Sequence, residues 1–377
     1  MSLNIENDKN VYILGAGFSM IRGLPGIQNF MLRLRDAHPW LISHNRDREA
    51  EAVERVIQYR IQSAAAAYRI PIDLENIEEL FSLADAGKDV LSRDIRVAIA
   101  ATLDFCNEMH PEPTTDFECS EVGLLPPKWK VGNQRPIRCV APTYEFFVQA
   151  LLGRWAGARP KSAFITFNYD CLVEVALKGL GIPFRYGFST ERSCASDRSA
   201  GATRQICEDV SILKLHGSVN WMRPKSRSGS LNVVDTYRDV CNVAGTPELV
   251  PPTWRKLFAR ELMEIWKLAL DELKSATRIV VLGFSIPETD LHFKYLLAAG
   301  LRENVSLREI VFVDKNPDAI KIRAKRLFGN DMDRRPGVRI IGRSISSFIG
   351  VGQMQESAFS IGRGVPVAIQ NIQHSVW

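Results

Sequence analysis

Val11-Tyr12-Ile13-Leu14-Gly15-Ala16-Gly17-Phe18-Ser19 is the stretch on which the fold class turns. Four apolar residues in a row, two of them β-branched and one aromatic, are too few for a helix and suit a strand covered on both faces. The glycines that follow allow a tight turn and let backbone amides approach a diphosphate, which a helix N-terminus also attracts. The full GxGxxG spacing is absent, because Met20 holds the sixth position. A purely structural strand-to-helix turn therefore explains this stretch as well as nucleotide binding does.

The same kind of run recurs at residues 164–167, 212–215, 279–282 and 310–313, with a further candidate at 338–341. Helical patterns lie between the later runs, at 170–179, 260–275, 291–301 and 317–328. Strand and helix in alternation predict an open α/β sheet of the dinucleotide-binding type. Residues 46–109 break the rhythm. Residues 46–69, with their glutamates, arginines and four consecutive alanines, predict a helix, and 75–86 and 92–109 predict two more. Proline-rich residues 111–136 read as a long loop. The organisation expected is an α/β domain from 1–35 and 142–345, a helical insertion at 36–141, and a tail at 346–377. Polar loops are expected at 189–208 and 223–229. The tail carries only Glu356 and Arg363 as charges, which suggests an oligomerisation arm.

Composition narrows the function classes. With 377 residues the chain can bury a sizeable core without disulfides or a structural metal. A net charge of +5 spread over that length gives no basic face for direct nucleic-acid binding. No apolar run approaches the ~20 residues of a membrane span, and the first ten residues lack the apolar core of a signal peptide. Seven scattered cysteines without a CxxC pair fit reduced thiols in a cytoplasmic protein and argue against a zinc site.

Three motifs fall at strand ends in chain order. The first joins Gly15-Ala16-Gly17-Phe18-Ser19 to Gly23-Leu24-Pro25, the second is Thr166-Phe167-Asn168-Tyr169-Asp170, and the third is Lys214-Leu215-His216-Gly217-Ser218. Together they resemble the NAD-binding motifs of sirtuins: GAG-x-S with G-hydrophobic-P, T-Q-N-x-D, and a histidine-glycine pair. A fourth patch, Gly283-Phe284-Ser285 with Asp290, resembles that family's glycine-serine loop. A fifth, Asp314-Lys315-Asn316-Pro317, falls where the adenosine end is held. Capping of the following helix explains Asp314 and Asn316 equally well.

The departures redirect the resemblance. Where protein-deacylating sirtuins carry D-F-R, this chain has Gly26-Ile27-Gln28; Phe167 replaces their glutamine, and no four-cysteine zinc module is present. The pattern is more similar to the zinc-free, sirtuin-like NAD hydrolases of bacterial anti-phage defence. That resemblance implies cleavage of NAD+, as substrate, to nicotinamide and ADP-ribose by a gated effector. It also implies a homo-oligomer with an activating partner such as an ATPase or nucleic-acid sensor. His216 would be the general base, its ordinary pKa of about 6.5 lying near operating pH. Asn168 would hold the ribose and place the attacking water, and Asp170 would hold the nicotinamide-side loop or the ribose. Gly15, Ala16, Gly17, Ser19, Pro25, Thr166, Gly283, Ser285, Asp314 and Asn316 would line the dinucleotide. Asp170 could equally cap the next helix. A protein deacylase or ADP-ribosyltransferase, and a non-catalytic module binding NAD or ADP-ribose, are the alternative readings.

Overall fold

The computed structural model describes residues 9–86, 91–119, 128–132, 137–152, 161–188, 210–222, 231–250, 260–286, 291–329 and 337–349. Five short apolar runs become the centre of one parallel sheet. These are β1 (Lys9–Leu14), β5 (Lys161–Thr166), β7 (Val210–Lys214), β11 (Arg278–Leu282) and β12 (Glu309–Asp314). Two edge strands, β6 (Phe184–Arg185) and β13 (Gly337–Gly342), complete the order β13-β12-β11-β1-β5-β7-β6, with every pairing parallel. The expected Rossmann-like open parallel sheet is thus observed. Its helices explain the unbroken apolar runs: Val11, Ile13, Phe164, Ile165, Ile212, Ile279 and Ile310 are all buried.

The chain leaves β1 toward β5 and later returns to β11 on the other side, so β1 stands at the point where strand order reverses. Ligands in open α/β sheets bind outside the carboxyl ends of the strands at such a point. The flanking helices are α1 (Ala16–Ser19), α7 (Thr143–Leu151), α8 (Leu172–Gly179), α10 (Arg260–Ser275), α11 (Leu291–Glu303), α12 (Pro317–Phe328) and α13 (Ile345–Ile349). In α10 the buried residues Leu262, Ile265, Ala269 and Leu273 recur at three- and four-residue spacing, the pattern of one helix face laid on a sheet.

The insertion begins with α2 (Phe30–Ser43), which runs across residue 36, and continues through α3 (Asp47–Gln62), α4 (Ala64–Arg69), α5 (Ile77–Ala86) and α6 (Leu91–Met109). The single helix expected over 46–69 is two, parted at Ser63, which is buried and whose carbonyl takes the Ala66 and Ala67 N–H groups. The long loop expected over 111–136 is also corrected. Its ends form β2 (Thr114–Cys119) and β3 (Lys130–Val131), which flank β4 (Ile137–Pro142) in an antiparallel sheet. Proline weighed too heavily in that reading: Pro111 and Pro113 precede β2, leaving its own residues free to pair. Another small antiparallel sheet, β10-β8-β9, uses β8 (Gly217–Met222), β9 (Asn232–Val233) and β10 (Pro247–Leu249), and carries α9 (Tyr237–Asn242).

Arg46 ties the helical insertion to this sheet. Its guanidinium pairs with Asp104 at 2.5 Å and Glu49 at 3.0 Å and lies over the rings of Trp40 and Tyr237. No helix among the described residues is long and apolar enough to cross a membrane. The loops expected at 189–208 and 223–229, Asp290, the N-terminal eight residues and the tail from 350 onward lie outside the described residues.

Candidate functional site

Five strands end level. Leu14 stands beside Thr166 and Leu282, Thr166 beside Lys214, and Leu282 beside Val313. The next residue along each strand is therefore Gly15, Phe167, Leu215, Gly283 and Asp314, so register alone brings all the sequence motifs to one edge.

The glycines serve a close crossing of two loops. Gly15 N–H donates to the Leu282 carbonyl at 3.1 Å and Gly17 N–H to the Gly283 carbonyl at 2.9 Å. A Cβ on Gly15 would lie 2.5 Å from Phe284 Cα, and one on Gly283, whose φ is +61°, would lie 2.5 Å from Phe18 N. The turn and the 283–286 loop are thus locked backbone to backbone, whatever the site binds. Ile286 at the end of that loop has φ +51°, a strained conformation for a β-branched side chain. Pro25 is buried behind the turn, and Ala16 is half-buried at its surface.

Asn168 is held most tightly. Its Nδ2 donates one proton to the Gly15 carbonyl at 2.8 Å and the other to Ser19 Oγ at 2.9 Å, and its backbone N–H donates to Thr166 Oγ1 at 3.0 Å. A carbonyl oxygen can only accept, so the atom facing Gly15 must be the NH2, which fixes the amide orientation. Both donors point inward, and Oδ1 is the polar atom the amide has left to offer. Ser19, 3% exposed, passes its own proton to Asp170 Oδ2 at 2.6 Å. Asp170 Oδ1 accepts the Leu172 N–H at 3.1 Å in the first turn of α8. Asp170 thus takes the first N–H of α8 from the position before the N-cap, Cys171, while its other oxygen meets Ser19.

His216 lies at the start of the loop into β8 and is 3% exposed. Phe167 meets its ring edge-on at 5.2 Å, and Tyr169 lies at 6.3 Å. Its carbonyl accepts the Val250 N–H at 2.9 Å, while Tyr169 OH donates to the Val250 carbonyl at 3.2 Å. Gly217 has φ +85° and a Cβ there would strike the Glu248 carbonyl, so no other residue fits after the histidine. Phe167 also stacks on Phe284 at 4.7 Å and meets Phe293 edge-on at 5.7 Å, making an aromatic wall beside the imidazole.

The outer residues stand further along the edge. Ser285 is exposed, and its carbonyl accepts from Arg323 at 2.6 Å. Asp314 Oδ1 accepts the Asn316 N–H at 2.8 Å, and Asn316 Oδ1 caps α12 through the Ala319 N–H at 3.3 Å. The capping reading of Asn316 is thus seen directly. Trp221, fully buried, packs against Tyr186 and Phe188. Among the described residues no group of three or more His, Cys, Asp or Glu could hold a metal ion.

Sequence reasoning passed over what lies beneath this layer. Lys214 donates to the Asp170 carbonyl and to Glu174 at 3.0 Å, and Tyr186 OH donates to the same Glu174 oxygen at 3.3 Å. Tyr144 OH donates to the Phe18 carbonyl at 2.8 Å, steadying α1 from α7. The signal for Lys214 was present in the sequence: a lysine inside the apolar run Ile212-Leu213-Lys214-Leu215. Cys171 lies 3.6 Å from Ser218 Oγ, and burial pushes its thiol up to about 12. At physiological pH that holds it as the neutral thiol, the weaker nucleophile.

Residues 162–335 match the family model described as the SIR2-like domain. Among solved structures it is similar to one described as "Structure of Sir2Tm bound to a propionylated peptide" (12% identity, TM-score 0.36, covering 90% of this chain and 89% of that one). Another is described as "Sir2-p53 peptide-NAD+" (12%, TM-score 0.36, 90% and 89%). A third, "Structural Basis for the Mechanism and Regulation of Sir2 Enzymes", is 14% identical with TM-score 0.36 and coverage of 90% and 88%. No curated protein matches the chain.

Proposed function

We propose that this chain is an NAD+ glycohydrolase, releasing nicotinamide and ADP-ribose. The SIR2-like match supports NAD as the substrate. The observation that carries the hydrolytic reading is the locked Asn168 amide, its acceptor oxygen left to the site, set between Phe167 and Tyr169, whose rings both meet His216.

The bond to be broken joins ribose C1′ to a cationic pyridinium nitrogen. Its electron pair leaves with that nitrogen and neutralises it, so no acid is needed, and C1′ passes through an oxocarbenium-like state. A water oxygen then bonds to C1′, and its proton must go to a base. Asn168 Oδ1 can accept a hydrogen bond from that water or from a ribose hydroxyl, fixing either one without reorganisation. His216 takes the proton. Asp170 orients Ser19, and Ser19 orients Asn168. Gly15, Ala16, Gly17, Thr166, Pro25, Gly283, Ser285, Asp314 and Asn316 form the edge along which the dinucleotide would lie. An unrestrained activity of this kind would empty a cell of NAD. We therefore infer gating by self-association or by an activating partner, in keeping with a defence effector.

The test is incubation of the full chain with NAD+, following nicotinamide and ADP-ribose by chromatography beside His216→Ala. Wild-type release that falls about 10²–10⁴-fold in a folded His216→Ala supports the reading. Equal release by both removes His216 from it. NAD+ bound tightly by the wild type without turnover leaves a binding module or an effector lacking its activator, which sizing with NAD+ present divides.

A further inference from the structure

Lys214 closes β7 with its side chain 1% exposed, between the buried Leu213 and Leu215 along the chain and beside Thr166 across the sheet. Such a position is ordinarily filled by Val, Ile or Leu, and replacing a buried ion pair by apolar residues is often neutral or stabilising. The fold alone gives no reason for a lysine there. Its contacts do. Nζ donates to the Asp170 carbonyl and, at 3.0 Å, to Glu174 Oε1 on α8. Burial pulls the ammonium pKa down. The Glu174 carboxylate, aided by that of Asp170, outweighs it and holds the group above its ordinary value, so Lys214 is charged.

The carbonyl it holds belongs to the residue whose carboxylate organises the site. Asp170 is gripped at three atoms: its carbonyl by Lys214, Oδ1 by the Leu172 N–H at 3.1 Å, and Oδ2 by Ser19 at 2.6 Å. Two of those grips come from side chains of other elements, Ser19 at the end of α1 and Lys214 at the end of β7, so the peptide plane after Asp170 cannot rotate without losing one. We propose that Lys214, backed by Glu174, is a positioning residue for this site, setting the 168–171 turn so that Asp170 meets Ser19 and Asn168 meets Gly15. The proposal rests on the reading of Asn168 and Asp170 as site residues. Lys214 touches no substrate; it acts through the Asp170 carbonyl.

Lys214→Met alone strands the Glu174 charge in the interior and can fail for that reason. The deciding variant is Lys214→Met with Glu174→Gln, made in the full chain, in which no buried charge is left over and Tyr186 keeps an acceptor. Glu174→Gln alone is the companion: it leaves the bond from Lys214 to Asp170 in place but strands the Lys214 charge, so its global stability is measured beside it. Two readouts are taken beside wild type: amide hydrogen exchange over residues 167–172, and NAD+ turnover. In the double variant the Leu172 amide, which depends on Asp170 Oδ1, should lose at least about tenfold in protection while the β1 and β11 amides keep theirs. Turnover number should fall on the order of 10²-fold, as for a misplaced reacting group, with KM changed less than turnover. Glu174→Gln, which keeps the bond to the Asp170 carbonyl, should lose less protection at the Leu172 amide than the double variant, even where its global stability falls. Wild-type exchange over 167–172 in the double variant overturns the proposal whatever the turnover shows. A wild type that does not cleave NAD+ bears on the hydrolase reading alone, and the exchange arm still decides the role of Lys214.

Discussion

Ser19 Oγ donates to Asp170 Oδ2 at 2.6 Å, joining two motifs separated by 151 positions in the chain. Both groups are buried, so neither can turn to water if the other is removed. Ser19→Ala leaves a carboxylate oxygen and one Asn168 proton without their partner, an expected loss of ~1–3 kcal/mol. Thermal unfolding should register it as a drop of several degrees, and nicotinamide release should fall with it. A variant as stable and active as wild type would show that this contact organises nothing.

The amide of Asn168 makes a sharper demand. Asn168→Asp is nearly isosteric, yet it sets a carboxylate oxygen against the Gly15 carbonyl, where the native NH2 donates at 2.8 Å. Two acceptors then face each other beside the Asp170 charge. Turnover should fall ~10²–10³-fold, the scale seen when one preorganised donor is lost from an active site. Asn168→Ser, which removes the repulsion without restoring both donors, should be inactive but more stable than Asn168→Asp in a urea titration.

Parallel strands announce themselves because both faces are covered, so Val11–Leu14 and residues 279–282 needed no periodicity to be read. The convergence of Gly15, Asn168 and His216 followed from placing each motif at a strand end, and the register of β1, β5 and β7 puts them there. The direction of each hydrogen bond was not legible. An asparagine can donate or accept, and only the Gly15 carbonyl decides which. Lys214 was passed over because its partner Glu174 sits 40 positions away on a helix that reads only as amphipathic. The strands of β2 and β3 were hidden by prolines that border them. The break at Ser63 was hidden by alanines with no preference for where a helix stops.

Gly283 separates two reasons for glycine. Its φ of +61° resembles that of Gly181 at +66°, but a Cβ on Gly283 would lie 2.5 Å from Phe18 N, whereas nothing lies within 4 Å of one on Gly181. Gly181→Ala should therefore lose only the ~1–2 kcal/mol of a left-handed backbone. Gly283→Ala adds overpacking of ~1–3 kcal/mol against backbone atoms that cannot move aside, and it pushes the 283–286 loop off the glycine turn. Calorimetry on the pair should show the larger loss at Gly283. Only that variant should also lose NAD+ turnover.

The alkaline limit of stability should carry the mark of Cys171. Burial raises this thiol from about 9 to about 12 in the folded chain. Between those values the unfolded chain has released the proton and the folded chain still holds it, so stability falls as pH rises. Below pH ~9 both states hold the proton and the group contributes no slope. Each such thiol adds a slope of about 1.4 kcal/mol per pH unit within the window. Urea unfolding at pH 7, 9 and 10.5 should show Cys171→Ala losing stability less steeply than wild type over the upper interval, with the two parallel over the lower one. At pH 7 the same variant should still release nicotinamide, because a neutral thiol 3.6 Å from Ser218 has no part in attacking ribose. If Cys171→Ala abolished turnover without unfolding the chain, the attack assigned to water would have to be given to sulfur.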